Sequence, residues 1–243
     1  MSPITILQSA PADTPAWIAR CMTSVRRWAE LHGYEYRVEG DELFDTISPE
    51  LRQKLAGRTP ILADLARLDW ITSVLSERGG LVVWIDADTI VFDAGWQLPL
   101  DADTFFGEEC WIQRNDKTHW RAYLSPHNAF MGFSETSPVL PFLKYLSESI
   151  IARADPQFIA PQMIGPKLLK ALHSLADFRL LPEAGALSPP LLAEWVGAHG
   201  AALGCYESAE RPRLAMANLC GSLTSVSDHQ ENIERLLEHV LFH

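Results

Sequence analysis

The chain has 243 residues, 47% of them hydrophobic and 21% charged, and carries a net charge of −11. That suits one sizeable α/β domain with its own core. The acidic balance argues against non-specific binding to nucleic acid or anionic lipid, which select clustered Lys and Arg, and makes a divalent cation the natural bridge to any phosphate ligand.

The opening residues MSPITILQSAPADTP lack the basic and long apolar parts of a signal peptide. No apolar run approaches the ~20 residues that span a bilayer, so an integral membrane segment is not expected. Cys21, Cys110, Cys205 and Cys220 form no CxxC pair; they read as reduced thiols of a cytoplasmic protein. ITIL (4–7) predicts a first buried strand. Residues 15–32 follow with Trp17, Ile18, Cys21, Val25, Trp28, Ala29 and Leu31 at helical spacing, Pro15 in the first turn and Gly33 as the stop. YEYRV (34–38) alternates as a second strand, so the chain opens strand–helix–strand, the pattern of a parallel sheet.

Residues 41–58 are poorly patterned. Thr59-Pro60 predicts a hydroxyl cap and a helix over 60–78, ended by Gly79-Gly80. LVVWI (81–85) is a continuous apolar run, as in a central strand covered on both faces. Beyond it, TFFGEECWIQ predicts a strand and a turn, HNAFMGFSE a short strand, and residues 138–152 and 162–175 two helices. RLLPEAGALSPP reads as loop. Asp228 and Glu231 have capping-box spacing before an amphipathic helix with Ile233, Leu236, Leu237, Val240 and Leu241 on one face. No repeat or linker interrupts the chain, so one domain is expected.

The apolar strand ends in Asp86-Ala87-Asp88. Ligands of open α/β sheets bind outside the carboxyl ends of the strands. Residues i and i+2 of an extended segment point the same way, and two carboxylates so placed repel. A hard cation such as Mn²⁺ or Mg²⁺ relieves that conflict and takes substrate phosphates as further ligands. The preceding helix carries Asp64 and Arg67, three apart on one face among apolar residues.

The unit ILADLARLDWITSVLSERGGLVVWIDAD, with Asp-x-x-Arg, a Gly-Gly turn, an apolar strand and Asp-x-Asp, resembles the DXD-containing sugar transferases. That family includes capsular polysaccharide transferases and the initiating α-1,6-mannosyltransferases, with the clostridial glucosylating toxins more distant. PAWIARCMTSVRRWAELHGYEYRVEGDE is similar too; the likeness covers residues 4–93 and continues more loosely through HNAFMGFSETSP and IGPKLLKAL. It implies a GT-A-like fold with a mostly parallel central sheet flanked by helices. A nucleotide-sugar part would occupy about 1–135 and an acceptor part about 136–243. It also implies a retaining hexosyl transfer from a UDP- or GDP-sugar, with Mn²⁺ or Mg²⁺, to a glycan or other acceptor hydroxyl. A lipid-linked or surface glycan precursor would be reached from the cytoplasmic side.

Carried over by position, Asp88 would bind the metal, and Asp86 the ribose or sugar and, through water, the metal. Asp64 and Arg67 would grip donor-sugar hydroxyls. Trp84 would lie near the base or ribose, with Gln8 of the opening strand and Tyr36 on the nucleotide side. Asn128 would lie near the donor sugar, and Gly165, Pro166 and Lys167 on the acceptor side. Where the family has a C-terminal His near the metal, this chain has AMANLCGSLTS; Asn218 is the metal-ligand candidate, followed by Ser222, with His229 further on. Among the eight tryptophans, Trp96, Trp111 and Trp120 are loop candidates for sugar stacking. Two other functions fit the motif. WIDADTIVFD matches the first motif of haloacid-dehalogenase-like phosphatases, with Asp86 as nucleophile and a lysine drawn from Lys144, Lys167 or Lys170. A non-catalytic nucleotide-sugar-binding protein is the other.

Overall fold

Strand β1 (Ile4–Ser9), helix α1 (Ala16–Leu31) and strand β2 (Glu35–Glu39) open the computed structural model, which describes residues 2–160, 162–176, 178–225 and 228–240. Pro15 caps α1 from outside rather than entering its first turn. Gly33 ends the helix with φ +70°, and the next amide, that of Tyr34, donates to Ala29 O at 2.9 Å. A 3₁₀ turn (Asp41–Thr46) and α2 (Pro49–Lys54) fill the poorly patterned stretch.

Helix α3 (Thr59–Arg78) starts one residue earlier than the pattern predicts. Arg58 occupies the cap with no side-chain bond to the helix; its guanidinium instead reaches Ile159 O and Pro156 O at 2.6 Å each. Gly79 and Gly80 both have positive φ and turn the chain into β3 (Leu81–Ile85), every residue of which is buried. Gly80 has no room for a side chain, since a Cβ there would lie 2.2 Å from Pro3 O.

Then come β4 (Thr89–Val91), β5 (Thr104–Arg114), β6 (Trp120–Ser134), α4 (Val139–Arg153), α5 (Pro166–Ala176), β7 (Arg179–Leu181), β8 (Ala184–Ala186), α6 (Pro189–Gly197), α7 (Ala201–Glu207), β9 (Met216–Asn218) and α8 (His229–Val240). Two elements are longer than their sequence signal: β5 has 11 residues and β6 has 15. The two pair as a hairpin, and a register shift between Phe106 and Gly107 changes which face each residue takes. The stretch read as loop holds β7, β8 and the start of α6. Leu241 lies outside the described residues.

The large sheet has the order β2-β1-β3-β6-β5-β7. Only β6 runs antiparallel to its neighbours, so the sheet is mostly parallel. Leu7, Val82, Trp84, Phe106, Met131 and Phe133 pack towards α3, α4 and α5, while Ile6, Val83, Ile85, Phe105 and Phe130 share a cluster with Val25 and Trp28 of α1. A three-stranded sheet, β4-β9-β8, carries a third cluster together with α6, α7 and α8. Asp86-Ala87-Asp88 is the crossing from the large sheet to the small one. Among the described residues no helix is long and apolar enough to cross a membrane.

Candidate functional site

The Asp86–Asp88 crossing is held by backbone from both sheets. Asp86 N donates to Ala129 O of β6 at 2.8 Å, Thr89 N to Asp86 O at 3.1 Å, and Leu219 N to Asp88 O at 2.9 Å. Gln8, fully buried, donates from Nε2 to Asp86 O at 3.1 Å and accepts Tyr36 OH at 2.7 Å. Gln8 and Tyr36 therefore stand behind the crossing and fix it. Burial pushes the Tyr36 phenol up to about 12, so it stays a donor at any physiological pH.

The aspartates line a cavity of about 480 Å³ with Arg67, Trp84, Ala63 and Thr59 on one side and Ser9, Ala10, Pro11, Ile18, Leu43 and Phe44 on the other. The aspartate pair and Arg67 thus gather at the carboxyl end of β3, and a wall that is apolar apart from Ser9 and Asp41 comes from the end of β1 and its loop, α1 and the 3₁₀ turn. A flat ring against the apolar wall and an anionic group against the carboxylates is the kind of ligand this division favours, provided a cation offsets the like charges.

Arg67 is the hub. It is 8% exposed, as is Asp64. Its Nη2 lies 3.2 Å from Asp64 Oδ1, and its Nη1 lies 3.1 Å from Asp86 Oδ1 and donates to Asn128 O at 2.9 Å. The guanidinium carbon sits 5.0 Å above the Trp84 ring, and Trp84 Nε1 donates to Asp86 Oδ1 at 2.5 Å. Asn128 Nδ2 donates to Asp64 Oδ1 at 2.7 Å. Burial raises the Asp64 carboxyl to about 6, opposed by Arg67 and reinforced by the charge of Asp86. So Asp64, Arg67, Trp84, Asp86 and Asn128 form one connected network. A bare ion pair on a helix face would not bury both partners.

Asp88 sits in a second network. Asn218 Nδ2 donates to Asp88 Oδ1 at 2.6 Å, and Gly221 N to Asp88 Oδ2 at 2.7 Å. Asn218 Oδ1 in turn accepts Cys220 N at 2.8 Å. That last bond fixes which way the amide points: turned over, it would set NH₂ against N–H. Asn218 thus presents nitrogen to Asp88 and acts on it as a hydrogen-bond donor, while its oxygen accepts Cys220 N. His229 heads α8, buried, with Nε2 2.9 Å from Leu219 O. Gly221 was not singled out by its sequence context. It is needed for close approach, since a Cβ there would lie 2.9 Å from Trp17 and 3.1 Å from Asp88 Oδ2.

Burial, then the charge of Asp86, raises Asp88 to about 6. Asp86 Oδ1 is engaged by Trp84 and Arg67, while Oδ2 takes no protein hydrogen bond among the described residues. Two repelling carboxylates on one cavity, one with an open oxygen, fit a divalent cation that completes its shell with phosphate and water. Replacing Asn218 by alanine leaves Asp88 Oδ1 and Cys220 N without their partner. The expected loss is about 1–3 kcal/mol of stability, read by urea unfolding. An unchanged midpoint would mean that water serves both groups equally well.

On the far side of Asp64, a Cβ on Gly165 would lie 3.0 Å from both Asn128 Nδ2 and Asp64 Oδ2, so the segment entering α5 closes against this network. Lys144, one candidate for a phosphatase lysine, pairs instead with Asp69 at 2.5 Å.

No protein-family model matches the sequence, and no curated protein matches it either. Among solved structures the chain is similar to the crystal structure of a glycosyltransferase involved in the glycosylation of the major capsid of PBCV-1. The TM-score is 0.55 at 14% sequence identity, covering 97% of this chain and 99% of that one. The fold is GT-A-like. The likeness spans the large sheet, the small sheet and the helices around them, so the Asp86–Asp88 crossing lies within the shared architecture. In this GT-A-like frame the apolar half of the cavity is built from β1 and its loop, and the charged half from the ends of β3 and α3.

Proposed function

We propose that the protein is a metal-dependent glycosyltransferase that moves a hexose from a UDP- or GDP-sugar to a glycan or other acceptor hydroxyl with retention at the anomeric carbon. The observation that carries this is the Asp86–Asp88 pair on a cavity shared with Arg67, Trp84 and an apolar wall. Base and ribose would lie against Leu43, Phe44 and Ile18, and the diphosphate beside Asp86 and Asp88. When bound, Mn²⁺ or Mg²⁺ supplies the positive charge that the leaving diphosphate needs. Asp64 and Arg67 hold the sugar hydroxyls; their buried geometry is set before substrate arrives, so orientation costs little at the moment of reaction. Asp64 is already committed to Arg67 and Asn128, which favours front-face attack over a covalent sugar–carboxylate intermediate.

A thermal-shift screen of UDP and GDP, with and without Mn²⁺, tests the reading. A ligand at ~100 times its Kd adds about 2.7 kcal/mol to the native state, roughly 5–10 °C for a chain of this size. A nucleotide shift that needs the metal is the expected result, and no shift with either nucleotide would defeat the proposal. Stereochemistry is read separately by NMR of the product; an inverted anomer would remove the front-face step.

A pH effect follows from Asp88. A cation competes with the proton held there, so affinity for Mn²⁺ should fall as pH drops through about 6, by roughly tenfold per unit below it. Mn²⁺ titrations at pH 7.5 and 5 measure this. Equal affinity at both would mean that Asp88 is not a ligand.

A further inference from the structure

The hairpin formed by β5 and β6 has two unlike faces beyond the register shift at Gly107. Cys110 and Ile112 turn inward and share a cluster with Leu187, Leu191 and Tyr206, with Ala122 and Trp120 packed against it. Glu109, Trp111 and Gln113 take the opposite face, where the register sets them beside Ser125, Tyr123 and Arg121. Tyr123 is 43% exposed and Trp111 is part-exposed. Among the described residues, Glu109, Trp111 and Tyr123 make no side-chain hydrogen bond, ion pair or ring stack within the protein.

The other candidate tryptophans are already engaged. Trp96 stacks on Trp28 with centroids 6.0 Å apart and meets Phe130 edge-on at 6.0 Å. Trp120 carries the Arg114 guanidinium at 4.9 Å. Among the described residues Trp111 alone of the three has no ring or cation partner, and Tyr123 is its cross-strand neighbour. Two aromatic rings flanked by a carboxyl, a hydroxyl and an amide are suited to a pyranose, which has apolar C–H faces and a rim of hydroxyls.

Strand β6 and helix α5 link this face to the Asp64 network. Asn128, which bonds Asp64, lies three residues beyond Ser125 on β6. Helix α5, whose entry segment closes on Asp64, packs against β6. Lys170 of that helix acts on Glu109, holding down a carboxyl that burial raises to about 7. Glu108, on the other side of the strand, is paired with Arg211 and takes no part.

We propose that the open face of this hairpin is the acceptor subsite, where a saccharide stacks on Trp111 and Tyr123 and gives a hydroxyl hydrogen bond to Glu109. The inference deepens the transferase reading and rests on it. It makes the acceptor a carbohydrate, as opposed to a protein side chain or a lipid. Glu109 lies between the stacked ring and the donor site, roughly 7 Å along the strand from Trp111, the rise of two extended residues.

The test uses saturation-transfer NMR on the full chain with UDP or GDP and Mn²⁺ present. The probes are methyl hexopyranosides and the disaccharides maltose, cellobiose and lactose. The expected result is saturation transfer to the C–H protons of at least one probe, weakened roughly 3- to 10-fold in Tyr123→Ala and Trp111→Ala. Glu109→Gln should weaken the overall signal while leaving its distribution over the stacked C–H protons unchanged. Tyr123 is exposed enough that its removal leaves the core intact, and a retained cooperative melting transition shows each variant to be folded. A nucleotide shift with no saccharide signal, or with a signal indifferent to all three substitutions, overturns the subsite and leaves the donor reading standing. Saccharide signals lost in the variants without any nucleotide shift uphold the subsite and overturn the donor reading.

Discussion

Replacing Arg67 by methionine is expected to cost about 3–5 kcal/mol of folding stability at pH 7, the largest stability effect of any single substitution at the site. Arg67 is buried and faces two carboxylates, Asp64 at 3.2 Å and Asp86 at 3.1 Å. Its removal leaves both without a cation and also frees Asn128 O. Methionine keeps much of the volume, so the loss reports charge more than packing. The pH dependence separates the two. The Asp64 carboxyl already sits at about 6, above its unfolded value, and Arg67 is the larger of the two influences that lower it, the Asn128 hydrogen bond being the other. Without Arg67 it rises further.

A carboxyl raised by folding favours the native state while protonated and loses that advantage as pH climbs through its folded pKa. The deficit of Arg67→Met should therefore be greatest near pH 8 and shrink towards pH 4, where Asp64 is protonated in the folded wild type and the folded variant alike. Urea unfolding in EDTA across that range measures it. A deficit equal at pH 4 and pH 8 would assign the effect to the guanidinium packed on Trp84. Lysine at the same position should recover only part of the loss, because one ammonium cannot replace a fork that serves four oxygens, those of Asp64, Asp86, Asn128 and Ala63.

Much of this site was legible from residue order because its parts are local. Asp64 and Arg67 are three residues apart on one helix, and Asp86 and Asp88 two apart at a strand end; helical and extended periodicity suffices to pair each set. The opening strand–helix–strand was legible for the same reason, with Gly33 and Gly79-Gly80 marking where helices must stop. What escaped was long-range. The β5–β6 hairpin carries Glu108, Glu109, Gln113, Arg114 and Arg121, so its pattern lacks the apolar run of a central strand, and pairing with its partner overrides that weak local preference. The short strands β7 and β8 exist only because β5 and β9 lie beside them.

Asn218 was singled out by its place in the chain, yet its contacts depend on Cys220 N and on a loop 130 residues from Asp88. No spacing rule reports which end of an amide faces a carboxylate. Gln8 and Tyr36 were placed on the nucleotide side by resemblance. Their hydrogen bonds show them buttressing the Asp86 carbonyl from within the sheet.

Replacing Asp88 by alanine should abolish metal-dependent nucleotide binding and lower transfer by about 10³-fold, some 4 kcal/mol of transition-state stabilisation. Stability should barely change. In the metal-free protein Asp88 is a buried carboxyl raised to about 6 by desolvation and by Asp86. Its removal takes away a like charge, while Asn218 and the Gly221 amide lose an acceptor. These changes oppose one another, so the metal-free variant should unfold within about 1 kcal/mol of wild type at pH 7.5 and gain nothing from Mn²⁺. Wild type should gain with Mn²⁺ and nucleotide together. Unfolding curves with EDTA, with Mn²⁺, and with Mn²⁺ plus UDP or GDP distinguish a ligand residue from a structural one. If Asp88→Ala were several kcal/mol less stable in EDTA yet still shifted by Mn²⁺ and nucleotide, Asp88 would be a fastener between the two sheets and the cation would belong to Asp86. If neither protein responded, the paired aspartates would be a structural seam alone. The combination expected here, a nearly neutral stability change with complete loss of the metal-linked shift, arises only when a carboxylate is kept in a costly position for the sake of what it binds.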